Sequence, residues 1–225
     1  MRLRSWFCLC AVFLACAAHA QAAIIVTVGS SLVTPGGPVD YLPVYINTDS
    51  GTVDLAATSF EFQITTNGST AVQFVNSPAP SVDPTFNNLN YVFFGASGDK
   101  AFANPLGTAS TTTTFAGGDE ANNTNFFVPL STTPELLAML PVTTLTNSAP
   151  PLGDTFSVSL VPYNSVSNPS TFFTDINADS ISISAGSFNP TPVTVTPEPS
   201  TFTLTALGLV ALAGAARRRR KAGRV

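Results

Sequence analysis

The sequence predicts an all-β domain, an antiparallel β-sandwich or jelly roll, and three observations support this fold class. Hydrophobic residues make up 44% of the 225 residues, and charged residues only 10%. Short apolar or alternating runs are separated by Ser, Thr, Asn, Gly and Pro, and no helical period appears between the two ends. A chain of this length can bury one substantial core. We therefore expect a single sandwich over residues 23–189, with a targeting segment on each side.

The alternation of apolar and polar side chains predicts the individual strands. Over residues 58–65, Phe60, Phe62 and Ile64 alternate with polar residues, so one face of this strand is expected to be core. Comparable runs predict strands at residues 24–28, 39–46, 71–75, 91–94, 136–142, 155–160 and 180–184. A helix over residues 136–142 is the alternative after Pro134.

Two other stretches of the domain lack a strand pattern. Residues 95–125 show the weakest alternation and predict a long loop around a weak strand, where a loop-borne function would sit. Residues 190–196 contain prolines at positions 190 and 192 and predict a stiff linker to the C-terminal segment.

The first 22 residues predict a secretory signal peptide with a helical apolar segment. Two arginines form a basic start, an apolar run covers residues 6–18, and small residues give a cleavage signature that ends at Ala20. Cleavage after Ala20 fits best, and cleavage after Ala22 is the alternative. Lipidation at Cys16 is disfavoured, because Leu14 lies one position late for the usual lipobox.

Removal of the signal peptide also removes a large part of protein chemistry. Every cysteine, the single histidine and the single tryptophan lie within the first 19 residues. An exported domain can form disulfides, but a domain without cysteine cannot. Zinc sites built from Cys or His, thiol nucleophiles and Ser-His-Asp triads are excluded because their side chains are missing.

The mature domain is strongly acidic. Lys100 is the single basic residue between the signal peptide and a basic cluster near the C-terminus. Twelve of the thirteen acidic residues stay if Glu198 leaves with the tail, so the domain carries twelve minus one, or eleven, net negative charges. Such a domain repels nucleic acid and anionic membranes. The same negative charge favours the binding of divalent cations and basic partners, although colloidal solubility alone also explains an acidic composition.

The last thirty residues combine three features in a fixed order. Pro197, Glu198 and Pro199 precede an apolar run over residues 202–216. A basic stop follows, made of Arg217, Arg218, Arg219 and Arg220. The fifteen apolar residues span about 22 Å as a helix, less than the roughly 30 Å hydrocarbon core of a bilayer. The run therefore predicts a short transmembrane helix that suits temporary retention.

These three features resemble the PEP-CTERM sorting signal, here spanning residues 197–221. The resemblance implies transient insertion into the inner membrane, recognition by an exosortase, and cleavage near the motif. It also implies a destination at the cell surface, in the outer envelope or in the extracellular matrix of a Gram-negative bacterium. An ordinary C-terminal membrane anchor is the alternative.

A second resemblance concerns the domain itself. The segments 28–30, 35–37, 42–47 and 60–62, and later 136–138, 153–156 and 173–186, resemble the strands and turns of a cohesin-type domain. The pattern covers about residues 24–188. It implies a sandwich fold and leaves the binding partner open.

One loop has the ligand spacing of a cation site. Asp175, Asn177 and Asp179 have the alternating oxygen ligands of a calcium loop. Ser180 and Gly186, however, stand where such a loop needs glycine and glutamate. A turn before the next strand is therefore the better explanation, so no cofactor is expected, and calcium is the alternative.

The remaining acidic and aromatic residues carry weaker signals. Asp119 and Glu120 beside two glycines, and Asp49 with Asp54, predict solvated turns. No motif pairs carboxylates at the roughly 5–9 Å that a glycosidase needs, so no enzymatic activity is expected. The tyrosines are candidates for a sugar-stacking face, at positions 41, 45, 91 and 163.

The targeting segments and the acidic sandwich together predict an exported, non-enzymatic surface or matrix protein. We expect a structural or adhesive role associated with exopolysaccharide or biofilm. The alternative is a cohesin-like module that binds carbohydrate or a surface protein.

Overall fold

The computed structural model describes residues 22–34, 38–66, 72–101, 103–122, 126–144, 155–162 and 171–195. The strands are β1 (Ile24–Val28), β2 (Leu32–Val33), β3 (Asp40–Thr48), β4 (Val53–Thr66), β5 (Val72–Phe74), β6 (Gly107–Thr111), β7 (Thr114–Glu120), β8 (Val128–Leu130), β9 (Glu135–Thr144), β10 (Thr155–Leu160), β11 (Phe172–Asp175) and β12 (Thr191–Val195). A short helix α1 covers Gly98–Ala101, and a 3₁₀ helix covers Ala185–Phe188. No helix within these ranges is long and apolar enough to cross a membrane. The predicted signal helix with Ala20, and the predicted transmembrane helix, lie outside them.

The first sheet contains four antiparallel strands in the order β1-β3-β9-β5. Every second side chain of β3 from Leu42 to Thr48 is buried, as the alternation of apolar residues predicts. β3 pairs along β9, with a register shift after Val44. The extended β9 confirms the strand predicted over residues 136–142 and excludes the helical alternative.

The second sheet is built on β4, which is fourteen residues long. Its order is β2-β12-β10-β4-β7-β6, and β11 and β8 also pair with β4. Residues 57–59 of β4 pair with β7 on one side and with β11 on the other, so β7 and β11 lie on opposite edges of β4. β8 lies on the same edge as β7, and β10 lies on the same edge as β11. The pairs are antiparallel except for β2 with β12.

The two sheets pack face to face over one hydrophobic core. Its largest fully buried side chains are phenylalanines, namely Phe60, Phe62, Phe86, Phe93, Phe115, Phe156 and Phe173. Residues from both sheets belong to the same buried cluster. Full burial of each such side chain contributes about 1.5–3 kcal/mol to folding. The all-β sandwich predicted from the sequence is confirmed.

Both open sides of the sandwich are closed by backbone hydrogen bonds, which protects the sheet edges from pairing with other chains. On one side, residues 180–184 lie between the sheets: the Ile181 amide donates to Phe173 of β11, and the Ile24 amide of β1 donates to Ser182. On the other side, the Phe74 amide of β5 donates to Thr112 in the turn between β6 and β7.

Three strand-level predictions are wrong in detail. Residues 91–94 form a turn with one isolated bridge instead of a strand, because Tyr91, Val92 and Phe93 are all buried between the sheets. Residues 180–184 contribute single bridges. Residues 95–125, predicted to be a long loop around a weak strand, contain α1 and the two-stranded β6-β7 hairpin.

The predicted linker over residues 190–196 is also wrong, since residues 191–195 form β12. This strand pairs with β10 along residues 191–194, and Val193 and Val195 are buried. β12 tolerates Pro192 because β2, its neighbour on the outer side, pairs only with Thr194 and Val195. No strand on that side therefore requires an amide hydrogen from Pro192. The folded domain therefore extends to Val195.

Candidate functional site

The sandwich leads directly into the sorting segment. β12 ends at Val195, which is 1% exposed and lies opposite Val33 of β2. One residue separates Val195 from Pro197. The motif residues Pro197, Glu198 and Pro199, and the basic stop Arg217, Arg218, Arg219 and Arg220, lie outside the described residues. The other predicted processing residue, Ala22, is partly exposed just before β1.

The candidate cation loop at residues 175–179 is a turn held by its own carboxylate. Asp175 Oδ1 accepts hydrogen bonds from the amides of Asn177 (2.8 Å) and Asp179 (2.9 Å), and Ala178 adopts a positive φ of 62°. This is the side-chain chemistry of a tight turn. Across the described part of the chain, no cluster of three or more acidic, His or Cys side chains could hold a metal ion.

A buried carboxylate, not a solvated turn, occupies position 119. Asp119 is 4% exposed in β7. Its Oδ2 accepts from the Tyr91 hydroxyl at 2.6 Å, and its Oδ1 accepts from the amides of Glu120 (2.7 Å) and Asp99 (3.0 Å). Burial, and then the charge of Asp119, raise the pKa of Tyr91 well above its ordinary value. Asp119 therefore holds the turn at residue 91 and the start of α1 against the second sheet.

A cleft of about 530 Å³ opens beside this group and is lined by Asp99, Asp119 and Glu120. Burial is the main cause that raises the pKa of Asp99, and the charges of Asp119 and Glu120 raise it further. The Asn104 amide donates to Asp99 at 3.2 Å. Both oxygens of Asp119 are engaged by donors of the chain itself, so the arrangement is that of a structural carboxylate.

Lys100 serves the same region of the fold. Its ammonium group donates to the carbonyl of Phe86 at 2.8 Å and to Asn87 Oδ1 at 3.4 Å. The Asn87 amide in turn donates to the carbonyl of Asp83 at 3.0 Å. The single base of the mature domain thus fastens the connection between β5 and α1.

Asp83 is a second buried carboxylate. It is 0% exposed, its Oδ1 accepts from the Thr85 amide at 2.7 Å, and Thr85 Oγ1 accepts from the Met139 amide of β9 at 2.9 Å. Within the described residues, Asp83 Oδ2 and the Ser77 hydroxyl are buried without a hydrogen-bond partner. Burial raises the pKa of Asp83 above its ordinary value.

We predict that Asp83 makes the protein less stable as the pH rises. A carboxyl whose folded-state pKa is raised binds its proton more tightly in the folded state than in the unfolded state. Its contribution to the free energy of unfolding is therefore favourable at low pH. That contribution is lost as the pH rises from the ordinary aspartate pKa, near 3.8, through the raised pKa. Asp83→Asn removes this titration while keeping the acceptor for Thr85. In urea unfolding, the free energy of unfolding of Asp83→Asn should increase relative to that of the wild type as the pH rises across this window. An unchanged difference from pH 3.5 to about 7 would contradict the assignment.

The tyrosines do not form one stacking face. Tyr91 is 3% exposed in the core, Tyr45 is 37% exposed on β3, and Tyr41 is partly buried on the same strand. Tyr163 lies outside the described residues. Burial, and then the charge of Asp83, raise the pKa of Tyr41.

The comparison with family models agrees with the resemblance of the C-terminal segment. The family model described as the PEP-CTERM protein-sorting motif matches residues 195–221, which confirms the sorting signal predicted at the C-terminus. No curated protein matches the chain. The motif indicates a protein that is exported and anchored at the surface of a Gram-negative bacterium after processing by an exosortase.

Two solved structures from Acetivibrio cellulolyticus are similar to the domain. One is the sixth cohesin of scaffoldin B in complex with a mutant Cel5 dockerin: identity is 12%, the TM-score is 0.44, and the match covers 79% of this chain and 99% of the cohesin. The other is a type II cohesin domain from the cellulosome: identity is 12%, the TM-score is 0.35, and the match covers 77% and 95%. The fold class itself rests on the strand pairing described above.

Proposed function

We propose that this chain is an exosortase substrate whose sandwich has a non-catalytic, structural or adhesive role in the extracellular polysaccharide matrix. The observation that carries the proposal is the sorting motif at residues 195–221. The domain supports it, because β12 ends one residue before Pro197, so cleavage near the motif releases the sandwich intact. Asp119 has a structural role in this proposal, because donors of the chain engage both of its oxygens.

We predict that the motif prolines are required for processing. Replacing Pro197 and Pro199 by Ala restores ordinary backbone freedom and amide hydrogens at the segment that the protease must grip. The precursor should then accumulate in the membrane fraction with its C-terminal tail, as seen by immunoblot with a tail antibody. The matched control is Pro190→Ala, which lies outside the motif and should be processed as wild type. Normal processing of the motif variant would contradict the proposal.

The alternative function, a module that binds a protein or carbohydrate, is favoured by one observation. Several large hydrophobic side chains are exposed on the loops of the sandwich, including Leu89 at 79% and Phe126 at 68%. Exposed apolar side chains that lie close together mark interaction surfaces. The two roles are compatible, since a matrix protein has to bind its neighbours.

A further inference from the structure

Exposed hydrophobic side chains concentrate in two connections of the sandwich. Leu89 and Phe94 are 79% and 47% exposed and belong to the connection between β5 and α1. Phe126 and Phe127 are 68% and 38% exposed and precede β8. We call these four residues the apolar wall.

Hydrogen bonds bring the two connections of the apolar wall together. The Asn122 amide donates to the carbonyl of Ala96 at 2.6 Å, two residues from Phe94. The Ala121 amide donates to Ala56 of β4 at 2.8 Å, and Val128 pairs with the neighbouring Leu55, so Phe126 and Phe127 return to the same edge of β4.

Leu89 is fixed at the same end of the sandwich. The Leu136 amide of β9 donates to the carbonyl of Asn90 at 2.8 Å, next to Leu89 in sequence. The same Leu136 lies opposite Tyr45 near the end of β3. The four residues therefore lie on the side of the sandwich where β9 of the first sheet faces β7 and β8 of the second.

Three carboxylates border the apolar wall. Glu120 is exposed and its side chain packs against Gly98, the first residue of α1. Asp99 follows Gly98, and Glu135 precedes the Leu136 that binds Asn90. The one basic residue of the domain, Lys100, is engaged by Phe86 and Asn87. Among the described residues, no basic side chain therefore pairs with these three carboxylates.

We propose that the apolar wall with Asp99, Glu120 and Glu135 is a docking surface for a basic protein segment that carries apolar side chains, supplied by another exported protein. Apolar side chains of the partner pack on the wall, and its lysines or arginines face the three carboxylates. Acidic polysaccharides and anionic lipids are repelled by the same charges. The inference deepens the proposed binding role and rests on it.

The test uses the mature protein purified from producing cells and a fluorescent synthetic peptide in which lysine alternates with leucine. We expect saturable binding that weakens as salt rises. A peptide with glutamate in place of lysine, and an all-lysine peptide, should each bind at least about tenfold more weakly, because charge and apolar contact are both needed. Equal binding of all three peptides would overturn the proposal.

Matched variants locate the site. Leu89→Ser with Phe94→Ser, and separately Asp99→Asn with Glu120→Gln, should each weaken binding about tenfold or more. Ile176→Ser with Asp179→Asn is the control, because Ile176 is an exposed hydrophobic residue (48%) and Asp179 an exposed acid, both in the turn after β11, which pairs with the opposite edge of β4. If the control loses as much binding as the wall variants, the binding is nonspecific attraction to an acidic domain, and the proposal fails.

Two further readouts keep the outcomes separate. Unfolding curves of each variant check the fold, and if the double variant Leu89→Ser with Phe94→Ser unfolds earlier than wild type, the single Leu89→Ser at the most exposed position decides the result. The mass of the same preparation shows whether the C-terminal tail has been removed. A retained tail contradicts the proposed sorting, whereas peptide binding that ignores the wall contradicts only the docking surface.

Discussion

Asp119→Ala is expected to destabilise the domain by about 3–5 kcal/mol, because it leaves three buried or partly buried donors without their acceptor. These donors are the Tyr91 hydroxyl and the amides of Asp99 and Glu120. Tyr91 is 3% exposed, so little water can replace the carboxylate at its hydroxyl. Urea unfolding of the purified mature protein measures the loss.

Two further variants test the reason for this loss. Asp119→Asn keeps an oxygen for the two amides and should cost about 1 kcal/mol. Asp54→Ala removes an exposed carboxylate from β4 and should change the unfolding free energy by less than about 0.5 kcal/mol. An Asp119→Ala variant within about 1 kcal/mol of wild type would show that this carboxylate does not hold the turn at residue 91.

Gly118→Ala is expected to have the second large effect. A Cβ atom at this position would overlap the carbonyl oxygen of Thr58, and this oxygen belongs to the backbone of β4 and cannot rotate away. The β4-β7 pair must therefore separate locally, at a cost of about 2–3 kcal/mol or more. Thermal unfolding should show a lower midpoint.

Gly186→Ala is the matched control for this glycine substitution. Its Cβ atom would meet nothing closer than 3.9 Å, and its φ does not fall in the region that favours glycine. The control should stay within about 0.5 kcal/mol of wild type. Equal stability of both variants would mean that β7 does not approach β4 as closely as described.

The sequence predicted best those elements whose own side chains carry the pattern. Phe60, Phe62 and Ile64 alternate, and all three are buried in β4. The three parts of the C-terminal signal are contiguous in the chain and need no tertiary information. Their order was sufficient to predict the match at residues 195–221.

The sequence predicted only a weak strand within a long loop where β7 lies, because the stability of β7 comes from its neighbours. Gly117 and Gly118 have low strand propensity and interrupt the alternation that Phe115 begins. The strand forms because β4 and β6 supply partners on both sides, and the absence of a side chain at Gly118 allows the close approach to Thr58. No local signal could reveal that approach.

The buried carboxylates were missed for a related reason. Tyr91 and Asp119 are 28 residues apart, and the pair exists because the connection between β5 and α1 packs against β7. An Asp next to two glycines is usually a solvated turn. In this fold, the 2.6 Å hydrogen bond from Tyr91 takes the place of water at the Asp119 carboxylate. The order of residues along the chain does not indicate this bond.

The intact mass of the protein isolated from cells that carry an exosortase shows whether the C-terminal segment is a sorting signal that is removed. We expect a species that lacks residues 1–20 or 1–22 and has lost the C-terminal residues beyond the motif, including Arg217 to Arg220, with the sandwich complete through Val195. A mature protein whose mass includes those four arginines would contradict the account.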